Sequence, residues 1–105
     1  MLIPTRNVMK RALMLSLAGT RGGAARMQIL SMLDRKPRNV NEISRELSVD
    51  YKSAQHHVRV LEKSGLITAA GKKYDNTYML STLLKAHKDV LDEISRDTRN
   101  MGKTR

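Results

Sequence analysis

Between Asp50 and Gly65 lies a segment, YKSAQHHVRVLEK, with a start signal, a stop signal and two unlike faces. Asp50 is placed to cap a helix start, because a carboxylate accepts hydrogen bonds from the free amides of the first turn. Gly65 suits the position just past the helix end, where a left-handed backbone carries no Cβ penalty, and Leu66 can then pack back on Leu61. At about 100° per residue, Gln55, His56 and Arg59 gather within about 60° of Lys52, while Ala54, Val58 and Leu61 collect on the other side. Such a helix stands at the edge of a core with a basic polar face turned outward. The adjacent His56 and His57 point apart: His56 joins the polar stripe and His57 sits at the core boundary.

The neighbouring segments narrow the architecture. Upstream, NEISREL forms a short helix capped by Asn41, with Ile43 and Leu47 on one face, and Ser48 to Asp50 makes a tight break. Downstream, LITAA, GKKYDN and TYMLS read as two short strands joined by a loop, a hairpin. Two further helices precede this unit. One spans Asn7–Ala18, and the other spans Ala24–Asp34, with Ala25, Ile29 and Leu33 as its buried stripe. The breaker-rich GTRGG lies between them, and Pro37 and Asn39 mark a turn. From Ser81, a capping residue, one amphipathic helix carries Leu83, His87, Val90 or Leu91, and Ile94, and the tail beyond Asn100 frays. The expected fold is mainly α with a small β hairpin, a helix-turn-helix with a β wing. It divides into an N-terminal helical extension (1–20), the winged unit (21–81) and a C-terminal amphipathic helix with its tail (82–105). There is no internal repeat.

Composition bounds the partners. The 105 residues make one domain, and with no Phe or Trp the core must rest on Leu, Ile, Val, Ala and the seven Met. A core this small gains from a dimer contact. The absence of cysteine rules out disulfides, thiol nucleophiles and thiolate-bound metal. No apolar run approaches a membrane span. The opening MLIPTRNVMKRALMLSLAG mixes basic and apolar residues, but its apolar part is short, so a cytoplasmic location is expected in preference to secretion or a membrane-surface helix. Twenty Lys and Arg against ten Asp and Glu give a net charge of +10, and the first 33 residues hold five basic and no acidic side chains. Such a field favours polyanions, nucleic acid foremost, with ribosomal partners or anionic lipid also compatible.

The histidines do not make a metal or catalytic site. Ligands along a helix stand three or four residues apart, and His87 is the one other histidine. GTRGG matches neither GxGxxG nor GxxxxGK[ST], and no nucleophile–base pattern can be picked out. No enzyme activity, cofactor or metal is therefore expected. The stripe Lys52, Gln55, His56 and Arg59 is instead offered to the major groove, with Tyr51 and Ser53 near the helix start as phosphate or base contacts. A solvated basic face is the competing reading, and placement after a tight turn and before a basic hairpin favours DNA. Lys72 and Lys73 at the hairpin tip are expected on phosphate. Arg21 and Arg26, flanking the start of the second helix, are expected there too, with Lys36 and Arg38 near the backbone.

The run from Arg26 to Ser81, RMQILSMLDRKPRNVNEISRELSVDYKSAQHHVRVLEKSGLITAAGKKYDNTYMLS, resembles the winged helix-turn-helix transcriptional regulators of the ArsR-like group. Its R-xx-IL, EI-xxx-L and S-xx-HHV-xx-LE-xx-GLI elements carry the likeness, and GTRGGAAR is similar to archaeal members. The resemblance implies that residues 42–47 position and residues 51–63 read DNA. Ser53, Gln55, His56 and Arg59 would then face the duplex, His57 would face the scaffold, and Lys72 and Lys73 would stand at the wing tip. Metal-sensing relatives use cysteines, which this chain lacks.

A single recognition helix reads few base pairs, so a homodimer is expected. Leu13, Leu17, Leu83, Val90, Leu91 and Ile94 on the first and last helices are the interface candidates, against packing within one chain. The expected function is sequence-specific binding of double-stranded DNA by a dimeric repressor, with no membrane partner and an effector the sequence does not name. The alternatives are a winged-helix adapter for protein or RNA and a nonspecific architectural DNA binder.

Overall fold

The computed structural model describes residues 6–17, 22–70 and 76–103. Along the chain run α1 (Arg6–Leu17), α2 (Gly23–Arg35), β1 (Arg38–Asn39), α3 (Val40–Leu47) and α4 (Tyr51–Lys63). They are followed by β2 (Ile67–Ala69), β3 (Thr77–Leu80), α5 (Thr82–Ala86) and α6 (Lys88–Lys103). The helix, tight turn, helix and hairpin order expected from the sequence is present.

The start of α3 differs in one residue that matters. Asn39, not Asn41, is the cap: its side chain accepts from the Glu42 amide at 2.8 Å, and the Glu42 carboxylate accepts from the Asn39 amide at 2.9 Å. This reciprocal capping box needs an acid three residues after the cap, which Glu42 supplies to Asn39. The turn into α4 passes through Ser48 with φ 57°, and the Ser44 hydroxyl donates to the Val49 carbonyl at 2.6 Å.

The end of α4 follows the expected pattern. Gly65 is left-handed (φ 78°), its amide bonds the Glu62 carbonyl at 3.0 Å, and the Leu66 amide bonds the Leu61 carbonyl at 3.0 Å. That bond pair is a Schellman ending, and buried Leu66 and Leu61 supply its apolar contact. The chain leaves directly into β2.

The sheet has three strands in the order β1-β3-β2, all antiparallel, so the hairpin gains a third member. In register, Arg38 faces Tyr78 and Ile67 faces Leu80. A two-residue strand leaves no periodicity to read, and β1 exists because β3 offers it an edge. Arg38, expected near the DNA backbone, is buried at this corner. Its guanidinium donates to Glu46 at 2.7 Å, to the Lys36 carbonyl at 2.9 Å and to the Met32 carbonyl, joining the end of α2 to α3.

One core unites the elements, from Met9, Leu13 and Leu17 on α1 through Ile29, Leu30, Ile43, Val58 and Leu61 to Leu84, Val90, Leu91 and Ile94. Methionines 9, 27 and 32 fill places where other domains use aromatics. The expected single final helix is broken at His87, where the backbone leaves helical values (φ −121°, ψ 38°). The break lets α5 bury Leu84 while α6 turns Val90, Leu91 and Ile94 inward, leaving Leu83 exposed. Lys10 pairs with Glu93 at 2.8 Å across α1 and α6, and Lys88 pairs with Asp34 at 3.3 Å.

Candidate nucleic-acid interface

The two faces of α4 separate as its sequence predicts. Ala54, Val58 and Leu61 are buried, and full burial of side chains like Val58 and Leu61 stabilises by about 1.5–3 kcal/mol each. Tyr51, Lys52, His56 and Arg59 are exposed, and Ser53 and Gln55 are half-buried at the margins. The helix start is fastened by Asp50, which accepts from the Ser53 amide at 3.4 Å and its hydroxyl at 2.5 Å. That hydroxyl bond holds the Asp50 carboxyl below its ordinary value. The Ser53 hydroxyl therefore serves the cap.

Two clefts flank the exposed face. On the wing side, Asn39, Asn41, Gln55, Arg59, Glu62, Asn76 and Tyr78 line a cavity with Tyr51 at its rim. Burial is the main cause pushing the Tyr78 phenol up, aided by Glu62 and Tyr51 and opposed by Arg59. Tyr78 and Glu62 were not among the residues singled out from sequence. Strand alternation with Leu80 is the signal that places Tyr78 on the inner face of β3.

On the opposite side, Gly22, Arg26, Lys52, Ser53, His56 and His57 line an open cleft between the start of α2 and α4. Arg26, expected at phosphate, is buried, and its guanidinium lies 3.1 Å from the His57 Nδ1. Since arginine has only donors, Nδ1 is the acceptor and the His57 proton sits on Nε2. Burial, then Arg26, then His56 hold the His57 imidazole below its ordinary value, so it is neutral near pH 7. His57 thus bonds its own scaffold, as the boundary position predicts, and the partner that the sequence left unnamed is Arg26. Gly22, also missed, is left-handed (φ 82°), and a Cβ there would lie 2.8 Å from the His57 ring.

Arg21, Lys72 and Lys73 lie outside the described residues. Of the apolar residues expected between protomers, Leu13, Leu17, Val90, Leu91 and Ile94 are buried within the chain, and Leu83 remains 37% exposed. Among the described side chains of α1, the exposed large apolar ones are Val8 and Met14. Among the described residues no group of three or more His, Asp or Glu is arranged to hold a metal. Nor is any helix there long and apolar enough to cross a membrane.

A short helix, a tight turn, a helix with an outward basic face and a hairpin beside it make a winged helix-turn-helix fold. Residues 24–69 match the family described as bacterial regulatory protein, arsR family, and the matched segment carries the helix-turn-helix and the first strand of the wing. Among solved structures, HlyU from Vibrio cholerae is similar at 24% identity and TM-score 0.62, covering 89% of this chain and 96% of that one. The reduced form of HlyU gives 24% identity and TM-score 0.64, over 87% and 90% of the two chains. Rv0081 from M. tuberculosis gives 22% identity and TM-score 0.58, over 86% and 92%. At these identities the likeness is one of fold. No curated protein sequence matches the chain. The family match supports a DNA-binding regulatory role for the matched segment.

Proposed function

We propose that the protein is a dimeric, sequence-specific DNA-binding repressor that acts by occupying promoter DNA in the cytoplasm. The observation that carries this is the outward face of α4, where Lys52, His56 and Arg59 stand exposed with Gln55 at their edge, opposite buried Ala54, Val58 and Leu61. A helix held this way fits the major groove, where Gln55 and Arg59 read base edges and Lys52 and Tyr51 meet backbone. Lys72 and Lys73 extend the contact from the wing. Arg21 adds charge beside α2, and Arg26 acts from inside the fold.

Pairing brings together two copies through the α1–α6 layer. Because Leu13, Leu17, Val90, Leu91 and Ile94 are taken up within each protomer, they shape the layer from beneath. Val8 and Met14, 55% and 47% exposed, and Leu83 supply the apolar contact itself. Two recognition helices related by a two-fold axis then read a palindrome.

Selection from a random duplex library at physiological salt tests the reading. A recurring palindrome is the expected result, with loss of transcript when that palindrome overlaps a promoter in a purified transcription reaction. Enrichment without a motif overturns sequence readout in favour of architectural binding, and no retention overturns DNA binding in favour of an adapter. Gln55→Ala and Arg59→Ala are expected to change the selected motif, whereas Lys72→Ala weakens all duplexes alike. Equal, sequence-blind losses for all three would overturn that division of labour.

A further inference from the structure

We infer that Gly22, Arg26 and His57 form a proton-sensitive brace that seats α4 against α2, so that protonation of His57 releases duplex DNA. This rests on the DNA-binding reading and adds to it the positioning residues and a regulating signal. His57 and Arg26 are 31 residues apart in sequence and meet at 3.1 Å, a side-chain bond that links α4 to α2 across the cleft. Gly22 closes the other side of the ring so tightly that a single added Cβ would stand 2.8 Å from Cε1 and 3.2 Å from the Arg26 guanidinium. The ring is therefore held against the start of α2 on the Gly22 side, where any larger residue would displace it.

The chemistry of the brace has one tolerated protonation state. A guanidinium cannot accept, so a proton on Nδ1 removes the bond and sets a second positive charge against Arg26. The groups facing His57 offer no relief. Among the described residues, Arg26 comes from α2, Lys52 and His56 come from α4, no carboxylate lines this cleft, and Asp50 at the helix start is committed to Ser53. The neutral ring is already favoured by burial and by Arg26. Seated α4 thus binds fewer protons at His57 than α4 displaced from the brace. The stability of the seated form is complete above the ordinary imidazole value of 6.5 and is lost as pH falls through the lowered value.

His56 stands exposed on the proposed DNA face one position before His57, so the two side chains are told apart by substituting each in turn.

Operator affinity measured from pH 8 to pH 5 on the full-length protein, using the palindrome selected above, separates them. His56→Gln is expected to leave a loss approaching tenfold per pH unit per bound protomer below the His57 midpoint. His57→Gln keeps an acceptor for Arg26 without titrating, so whatever its affinity at pH 7.5, that affinity shows no acid loss. An acid loss that persists in His57→Gln overturns the brace. Nitrogen-15 NMR of the free protein gives an independent reading. Nδ1 unprotonated at pH 7, with a titration midpoint that rises in Arg26→Gln, supports the brace, and an Nδ1–H tautomer or an unmoved midpoint overturns it. Both outcomes leave DNA binding at pH 7.5 intact, whereas failure to bind any duplex at pH 7.5 overturns the DNA reading itself and the brace with it.

Discussion

Two glycines show how differently one backbone conformation is used. Gly22 and Gly65 both sit at positive φ, but a Cβ on Gly65 meets nothing within 4 Å, while one on Gly22 meets His57 and Arg26. Gly65→Ala is therefore expected to cost about 1 kcal/mol, the penalty of a left-handed backbone alone. Gly22→Ala pays the same penalty plus displacement of the ring, roughly 1–3 kcal/mol more by the usual cost of overpacking. Paired urea unfolding curves check this, and equal losses at the two sites would show that the His57 contact carries no energy. The role of Gly65 was legible because a stop signal and an apolar partner, Leu66, stand side by side in sequence. The role of Gly22 was not, because its reason lies on His57, 35 residues further on.

At the scale of elements, the sequence is most readable where a helix carries both its own ends and its own faces. Helix α4 meets that condition, with Asp50, Gly65 and a clean division of polar and apolar positions. Boundaries that depend on a neighbour were misplaced. Asn39 and Asn41 are both fit to cap, and only Asn39 has Glu42 at the reciprocal spacing. The break at His87 is invisible to periodicity because Leu84 and Ile94 each suit a helix, and the direction of that helix is decided by the packing of α6 on α1. Arg38 reads as a surface charge until Glu46 and two carbonyls surround it. Asn39→Ala is expected to cost about 1–2 kcal/mol through the capping box alone. Arg38→Met, which strands buried carbonyls as well as Glu46, should cost about 2–4 kcal/mol. Thermal unfolding ranks the two, and a harmless Arg38→Met would remove that residue from the account of how α2, β1 and α3 are joined.

For the whole molecule, the +10 charge sets how binding responds to salt. If Lys52, Lys72 and Lys73 of each protomer meet phosphate, the logarithm of the dimer's affinity should fall against the logarithm of salt with a slope of roughly −5. Lys72→Ala should flatten that slope by roughly 2. A slope near zero in filter binding or fluorescence anisotropy would show that the basic field plays no part. The same distribution of residues makes the molecule optically lopsided. It has no Trp or Phe, and of its three Tyr, Tyr51 and Tyr78 stand at the cleft between α4 and the wing, while Tyr74 belongs to the loop between β2 and β3. Tyrosine absorption and emission from these two described residues therefore report on that cleft, and the Leu, Ile, Val and Met interior contributes none. Ligand docking in the cleft is visible without a label, whereas collapse of the interior must be followed through the amide bands.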